Sequence, residues 1–151
     1  IQDSPLGFLE ACSVIDLLDC VPLDRNYLSD QSEALGSDWA VYRLSEFPVN
    51  AHSARVSQRL PSIGEEVYVS GFPQGHVPWI SHGHVAYVWN EHGHDLFGIY
   101  AFAFFGSSGG GIYDRNGWLI GVTSAIAASQ WGPIEDKVFV APIANISFLT
   151  N

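Results

Sequence analysis

Between residues 66 and 141 the chain sets out six short runs rich in valine, isoleucine and aromatic residues, at 66–70, 82–89, 96–104, 111–113, 118–123 and 137–141. Glycine, proline, asparagine or aspartate interrupts the chain between them, so no run is long enough for a useful helix. Short apolar runs with turn signals at regular spacing are the pattern of an antiparallel barrel or sandwich. Upstream, 11–18 and 39–44 also read as strands, with an irregular acidic stretch at 19–37 between them. Residues 45–62, with Pro48, Pro61 and scattered polar side chains, read as a linker. Residues 143–149 have the character of a short closing helical turn, and there is no internal repeat or low-complexity tract.

One loop in this array carries chemistry. Phe105-Gly106-Ser107-Ser108-Gly109-Gly110-Gly111-Ile112 has the form Gly-x-Ser-Gly-Gly running into a strand, a turn at Asp114-Arg115-Asn116-Gly117, and a second strand beginning at Trp118. Such a composition in isolation also suits a flexible linker. The flanks argue otherwise, because a linker is not normally wedged between Tyr100-Ala101-Phe102-Ala103-Phe104-Phe105 and a hairpin of buried-strand character. A serine flanked by glycines can sit on a tight turn with its hydroxyl exposed and backbone N–H groups converging beside it. That is how a nucleophilic serine and an oxyanion hole are built.

The loop resembles the nucleophile loop of chymotrypsin-fold serine proteases, with Ser108 at the nucleophile position. Asp38-Trp39-Ala40-Val41-Tyr42-Arg43-Leu44 resembles the Asp-Leu-Ala-Val-Leu-Lys-Leu strand bearing that family's catalytic aspartate. Gly64-Glu65-Glu66-Val67-Tyr68-Val69-Ser70-Gly71-Phe72-Pro73-Gln74-Gly75 is similar to the opening of the second barrel in Deg-type and related trypsin-like proteases. Ile80-Ser81-His82-Gly83-His84-Val85 and Val138-Phe139-Val140-Ala141-Pro142-Ile143 resemble later strands of that barrel. The matches fall in family order and cover about two thirds of the chain. The resemblance implies an all-β, chymotrypsin-like double antiparallel β-barrel, its first barrel incomplete in this chain. Residues 1–47 would be the C-terminal part of the first barrel, 48–62 the inter-barrel linker and 63–151 the second barrel.

Composition agrees with a packed domain. Hydrophobic residues at 47% and charged residues at 15% of 151 positions can fill a core. The longest apolar runs are too short to span a bilayer. A net charge of −10 with six Lys and Arg argues against a nucleic-acid or anionic-membrane partner, since phosphate contact needs basic residues. It suits a secreted, periplasmic or virus-encoded protein. Cys12 and Cys20 are read as lying within or near one extended segment, which would hold them beyond bridging distance unless the chain reverses between them, and they read as small buried hydrophobes. The chain has no methionine, so Ile1 is not a retained initiator, and residues ahead of it are expected.

A serine hydroxyl needs a base to take its proton and a carboxylate to orient that base. Ser108 and Asp38 supply two of the three groups; by resemblance the N–H groups of Gly106 and Ser108 form the oxyanion hole. In the family the histidine precedes the aspartate, but all six histidines here (His52, His76, His82, His84, His92 and His94) follow Asp38. The base is therefore expected upstream of Ile1 or from a partner chain, unless the protein is an inactive relative. An Ile N-terminus in trypsin-like zymogens pairs with an aspartate just before the serine. Ser107 stands there, so activation of that kind is not expected.

His82-Gly83-His84 and His92-Gly93-His94 have the spacing that puts two rings on one strand face, and two such pairs could hold zinc. Their places, one in a strand and one at a turn, favour ordinary solvated histidines, and neither a metal nor another cofactor is expected. By resemblance the substrate pocket is lined by Phe102, Ser124, Ala125 and Ile126. None is charged, which argues for small or medium apolar side chains over Arg or Lys, although Phe102 could equally pack in the core. The resulting expectation is a serine endopeptidase acting on polypeptides through an acyl-enzyme on Ser108. The alternative is an inactive protease fold used as a binding or structural module.

Overall fold

The computed structural model describes residues 21–26, 36, 38–43, 52–73, 77–130 and 132–146. The elements are β1 (Val21–Asn26), β2 (Trp39–Arg43), β3 (Glu66–Gly71), β4 (Trp79–Glu91), β5 (His94–Tyr100), β6 (Gly111–Asp114), β7 (Leu119–Ser129) and β8 (Gly132–Pro142), then a 3-10 turn at Ile143–Asn145. The chain divides into two compact units, one of residues 1–25 with 40–53 and one of residues 26–39 with 54–151. Strands β1 and β2 pair as a two-stranded sheet. In the second unit six strands close a barrel in the order β3-β4-β5-β8-β7-β6, every neighbouring pair antiparallel.

The period-2 pattern of side chains decides which face of each strand turns inward. In β3, Val67 and Val69 are buried while Glu66 and Tyr68 are exposed. Phe97, Ile99, Ile112, Ile120, Val138 and Val140 complete the lining of the barrel. Each such side chain contributes about 1.5–3 kcal/mol by leaving water. Strand β5 is covered on both faces, with Leu96 through Ile99 all buried. Its outer cover is Tyr87, which lies so close over Gly98 that a Cβ there would meet the ring at 1.9 Å. The Tyr87 ring also stacks on Trp89 at 4.8 Å and touches Phe139 at 6.1 Å.

The strand boundaries differ from the sequence reading where pairing outweighs local propensity. Strand β1 forms inside the stretch expected to be irregular, through its pairing with β2. Strand β4 begins at Trp79 rather than at residue 82. Strands β7 and β8 run on to Ser129 and back from Gly132, because the alanine-rich 125–128 segment finds partners across the hairpin at Ile134 and Pro133. Strand β5 stops at Tyr100, short of residue 104, since the chain must then turn into the Ser108 loop. The strand expected at 11–18, Cys12, Cys20, residues 45–51 and the end of the closing turn at 147–149 lie outside the described residues.

From Arg55 to Ser62 the segment read as linker is held by hydrogen bonds within the second unit. Leu119 donates its N–H to the Arg55 carbonyl at 2.8 Å and accepts the Ser57 N–H at 2.9 Å. The Arg59 guanidinium grips both carboxylate oxygens of Glu65 and reaches Asp114 at 3.5 Å.

Candidate active site

Two consecutive turns shape the Ser108 loop. The first spans Phe104 to Ser107 and is closed by the Ser107 N–H on the Phe104 carbonyl at 2.9 Å. Its third residue, Gly106, has φ 98°, and Phe105 before it is not left-handed, which is the sign pattern of a type II turn. The second spans Ser107 to Gly110, closed at 2.9 Å by the Gly110 N–H, with Gly109 at φ 79°. Ser108 occupies the second position of that turn, where its side chain is exposed. Ser107 faces the other way: it is 4% exposed, and its hydroxyl accepts the Phe104 N–H at 3.3 Å, fastening the first turn from inside. The N–H groups of Ser107, Gly109 and Gly110 are all taken by carbonyls. Among the described residues, those of Gly106 and Ser108 have no backbone acceptor.

Asp38 stands immediately before β2, and its Oδ2 accepts the Ser124 hydroxyl at 2.8 Å. Ser124 can reach it because of an irregularity in β7. The register with β8 runs Thr123 to Val140 and then Ala125 to Phe139, leaving Ser124 as an extra residue. A bulge of this kind re-aims a side chain. Both Thr123 and Ser124 are consequently buried, although regular neighbours in a strand face opposite ways. Thr123 in turn accepts the Gly109 N–H at 2.8 Å and donates to the Gly110 carbonyl at 2.9 Å. Two successive residues of one strand thus hold the Ser108 loop and the Asp38 carboxylate. The two anchoring residues are consecutive in β7, about 3.3 Å apart along the strand.

The remaining pocket candidates lie around the same loop. Phe102 is 42% exposed, rests on Trp79 with ring centroids 5.9 Å apart, and accepts the Ser81 hydroxyl on its carbonyl at 2.6 Å. Ala125 and Ile126 are half-buried on β7, and Ile126 packs against the barrel core. Ser124, read from sequence as a pocket residue, has its hydroxyl engaged by Asp38. The signal for that contact was two adjacent hydroxyl residues, Thr123 and Ser124, breaking an otherwise apolar strand.

The histidines are spread apart. His52 is exposed, and His76 lies outside the described residues. His82 and His84 both point outward from β4, the first beside Tyr68 at 5.1 Å and 3.8 Å from Glu66 Oε1, the second stacked on Tyr100 at 5.8 Å. His92 lies in the turn after β4 and His94 begins β5 opposite Glu91, seven residues along β4 from His84, roughly 23 Å at about 3.3 Å per residue. Among the described residues no three His, Cys, Asp or Glu side chains gather as metal ligands would. No helix among them is long and apolar enough to cross a membrane.

Comparison with known proteins places this geometry. A family model described as trypsin-like peptidase domain matches residues 18–122. No curated protein matches the chain in sequence. Among solved structures, an inactive form of Rv3671c from M. tuberculosis H37Rv, in a serine-to-alanine mutant, is similar with a TM-score of 0.61 and 17% identity, over 87% of this chain and 63% of that one. The HtrA-type protease AlgW, solved with a decapeptide, is similar with a TM-score of 0.64 and 22% identity, over 78% of this chain and 37% of that one. The chain therefore spans less than two thirds of either protein's length. At these identities the likeness is one of fold, and it bears out the all-β, chymotrypsin-like expectation, with β3 to β8 as the closed six-stranded barrel. A family model that covers more than half of the residues, the Ser108 loop included, carries the assignment further: this chain belongs to the trypsin-like peptidase family.

Proposed function

We propose that the protein is a serine endopeptidase whose nucleophile is Ser108 and whose orienting carboxylate is Asp38. The observation that carries this reading is the shared anchorage on β7, where Thr123 holds the loop of Ser108 and Ser124 holds Asp38. An imidazole placed between the two would take the Ser108 proton as Oγ attacks a peptide carbonyl. Its opposite N–H would point to Asp38, which keeps the ring in the required tautomer. The carbonyl oxygen becomes an oxyanion, met by the N–H groups of Gly106 and Ser108, which have no backbone acceptor among the described residues. Collapse expels the amine, protonated by the imidazolium, and leaves an ester on Ser108. Water, deprotonated by the same imidazole, then releases the acid and regenerates the serine. None of the six histidines precedes Asp38 in the sequence, so on this reading the base comes from residues beyond this sequence or from another chain.

A peptide substrate is supported by the edge of β7. Strand β6 accompanies β7 only to Val122, whereas β8 continues along its other side to Ser129. Among the described residues the β6-side edge from Ser124 onward is left without a strand partner, a place where an extended peptide can add main-chain hydrogen bonds. AlgW, similar in fold, was solved with peptides. Phe102, Ala125 and Ile126 border this edge with uncharged surface, which supports apolar side chains at the cleaved position.

The test is labelling of the full-length protein with a fluorophosphonate, with Ser108→Ala beside it. Labelling that is lost in the variant is the expected result. A folded full-length protein that does not label overturns the peptidase reading and leaves an inactive protease fold used as a binding or structural module.

A further inference from the structure

Asn145 ends the 3-10 turn that follows β8, between Ile143 and Ile146, each 2% exposed. Those two buried side chains and the Ile146 N–H on the Ile143 carbonyl at 2.9 Å fix the turn to the barrel. The Asn145 amide bridges the start of β5 and the Gly36 backbone. Its Nδ2 donates at 2.7 Å to the Gly36 carbonyl and at 2.7 Å to the Asp95 carbonyl. Both acceptors are carbonyl oxygens, so only the NH2 end of the amide can satisfy them, and both of its hydrogens are used. Gly36 is two residues ahead of Asp38. It is buried against the start of β5, where a Cβ would lie 2.2 Å from the Asp95 carbonyl oxygen.

We infer that Asn145 is a positioning residue for catalysis, holding the Gly36 backbone in place so that the Asp38 carboxylate meets the orienting end of the catalytic base. This rests on the peptidase reading given above. Ser124 grips the carboxylate, and Asn145 grips the backbone behind it. A carboxylate held only by its head can rotate about that one bond, whereas one held at head and root has a single approach direction. The close fit of Gly36 against Asp95 gives the tether its precision, since no residue larger than glycine can enter the gap between β5 and Asn145. The amide touches neither the peptide edge of β7 nor the Ser108 loop through any hydrogen bond, so its effect falls on the chemical step and leaves ligand capture alone. Displacements of about 1 Å in a catalytic group cost up to a hundredfold in rate. Partial loosening at two residues' remove is expected to cost about tenfold.

The experiment measures inactivation of the full-length protein by a fluorophosphonate, resolved into the maximal rate constant and the half-saturating concentration. Asn145→Ala and Asn145→Asp remove the two donors, the second nearly without change of shape. Gly36→Ala disturbs the same segment from the other side. Asn90→Ala is the control, since it removes a hydrogen bond to the Asp95 side chain at 3.0 Å on the same hairpin without touching Gly36. The expected result is an approximately tenfold lower rate constant in the three test variants, with half-saturation within twofold and Asn90→Ala unaffected. In an Asp38→Ala background, Asn145→Ala should add less than a further twofold, because its effect runs through Asp38. An unchanged rate constant, a loss confined to half-saturation, or full additivity with Asp38→Ala overturns the positioning role while leaving the peptidase reading intact. A wild-type protein that does not react overturns the peptidase reading itself, and the role of Asn145 with it.

Discussion

The Ser124 hydroxyl donates to Asp38 Oδ2 at 2.8 Å, across 86 residues of sequence, from the bulged position of β7. A hydrogen bond to a charged group is worth about 1.5–3 kcal/mol, and this one is part-buried, so the lower end applies. On the proposed peptidase reading, Ser124→Ala leaves the carboxylate free to turn away from the base. The expected loss is about tenfold in kcat, equivalent to ~1.4 kcal/mol, with KM nearly unchanged because no substrate contact is removed. Steady-state kinetics on a fluorogenic peptide would check this, and a rise in KM without loss of kcat would mean that Ser124 serves the pocket instead.

Gly106 makes a second prediction. Its φ of 98° is costly for any residue with a Cβ, and its place in the first turn determines where its N–H points. Gly106→Ala favours a turn of opposite central peptide orientation, which aims a carbonyl where the oxyanion would sit. Loss of one such donor costs about 10²–10³ in kcat. Fluorophosphonate labelling should slow accordingly while the melting temperature stays close to that of the parent, as the exposed loop carries little of the core. Labelling at the parental rate would show that the Gly106 N–H takes no part.

The barrel was legible in the sequence because part of its inner face obeys a simple rule: Val67 and Val69 flank Tyr68, and Val138 and Val140 flank Phe139, so inward aliphatic residues alternate with aromatic ones on the other face. The Ser108 loop was legible because its glycines occur where the turns need left-handed φ, at Gly106 and Gly109. The extent of β7 and β8 was not, since alanine, serine and glycine at 125–132 have little strand preference and become strands only by pairing with each other. Nor was the role of Ser124. It depends on a bulge, and a one-residue shift in register leaves no mark in composition. Asn145 was hidden for a related reason: an asparagine in a closing turn looks like turn chemistry until its two carbonyl partners, from Gly36 and Asp95, are brought to it by the fold.

Tyr87 and Gly98 offer a test of the barrel's outer packing. Burial of the Tyr87 ring raises its hydroxyl from the ordinary 10.0 to about 12, and the space it fills is the one left by Gly98. Gly98→Ala puts a methyl group where the ring lies, so the ring must swing outward into water. A spectrophotometric titration of the parent should show a tyrosine ionising about two units later than free tyrosine. In Gly98→Ala that late component should move back toward 10, together with a drop in stability of about 1–3 kcal/mol for the overpacked site. A late component that persists in the variant would mean that the ring is held by other contacts, such as those with Trp89 and Phe139.

The Arg59–Glu65 pair ties the segment before the barrel to the entry of β3, and its pH dependence has a definite sign. The hydrogen bond from Arg59 holds the Glu65 carboxyl below its ordinary 4.5, and the Ser62 N–H, donating at 3.0 Å, acts in the same direction. A carboxyl whose folded value lies below its unfolded one stabilises the fold at any pH above the unfolded value. That contribution fades as the pH falls through the folded value, where the native state must also take up the proton. Arg59 is half exposed, so the pair belongs with surface ion pairs, worth about 0.2–1 kcal/mol. For a domain of this size that corresponds to a melting temperature lower by up to about 4 °C in Glu65→Gln. The difference between parent and variant should be full at pH 6 to 8, and shrink only below 4.5, as the pH falls toward the lowered folded value. High salt should narrow it throughout, because water reaches the pair. A gap that stays constant as the carboxyl is titrated with acid would mean that Glu65 acts through its shape and hydrogen bonding to Ser62 rather than through its charge.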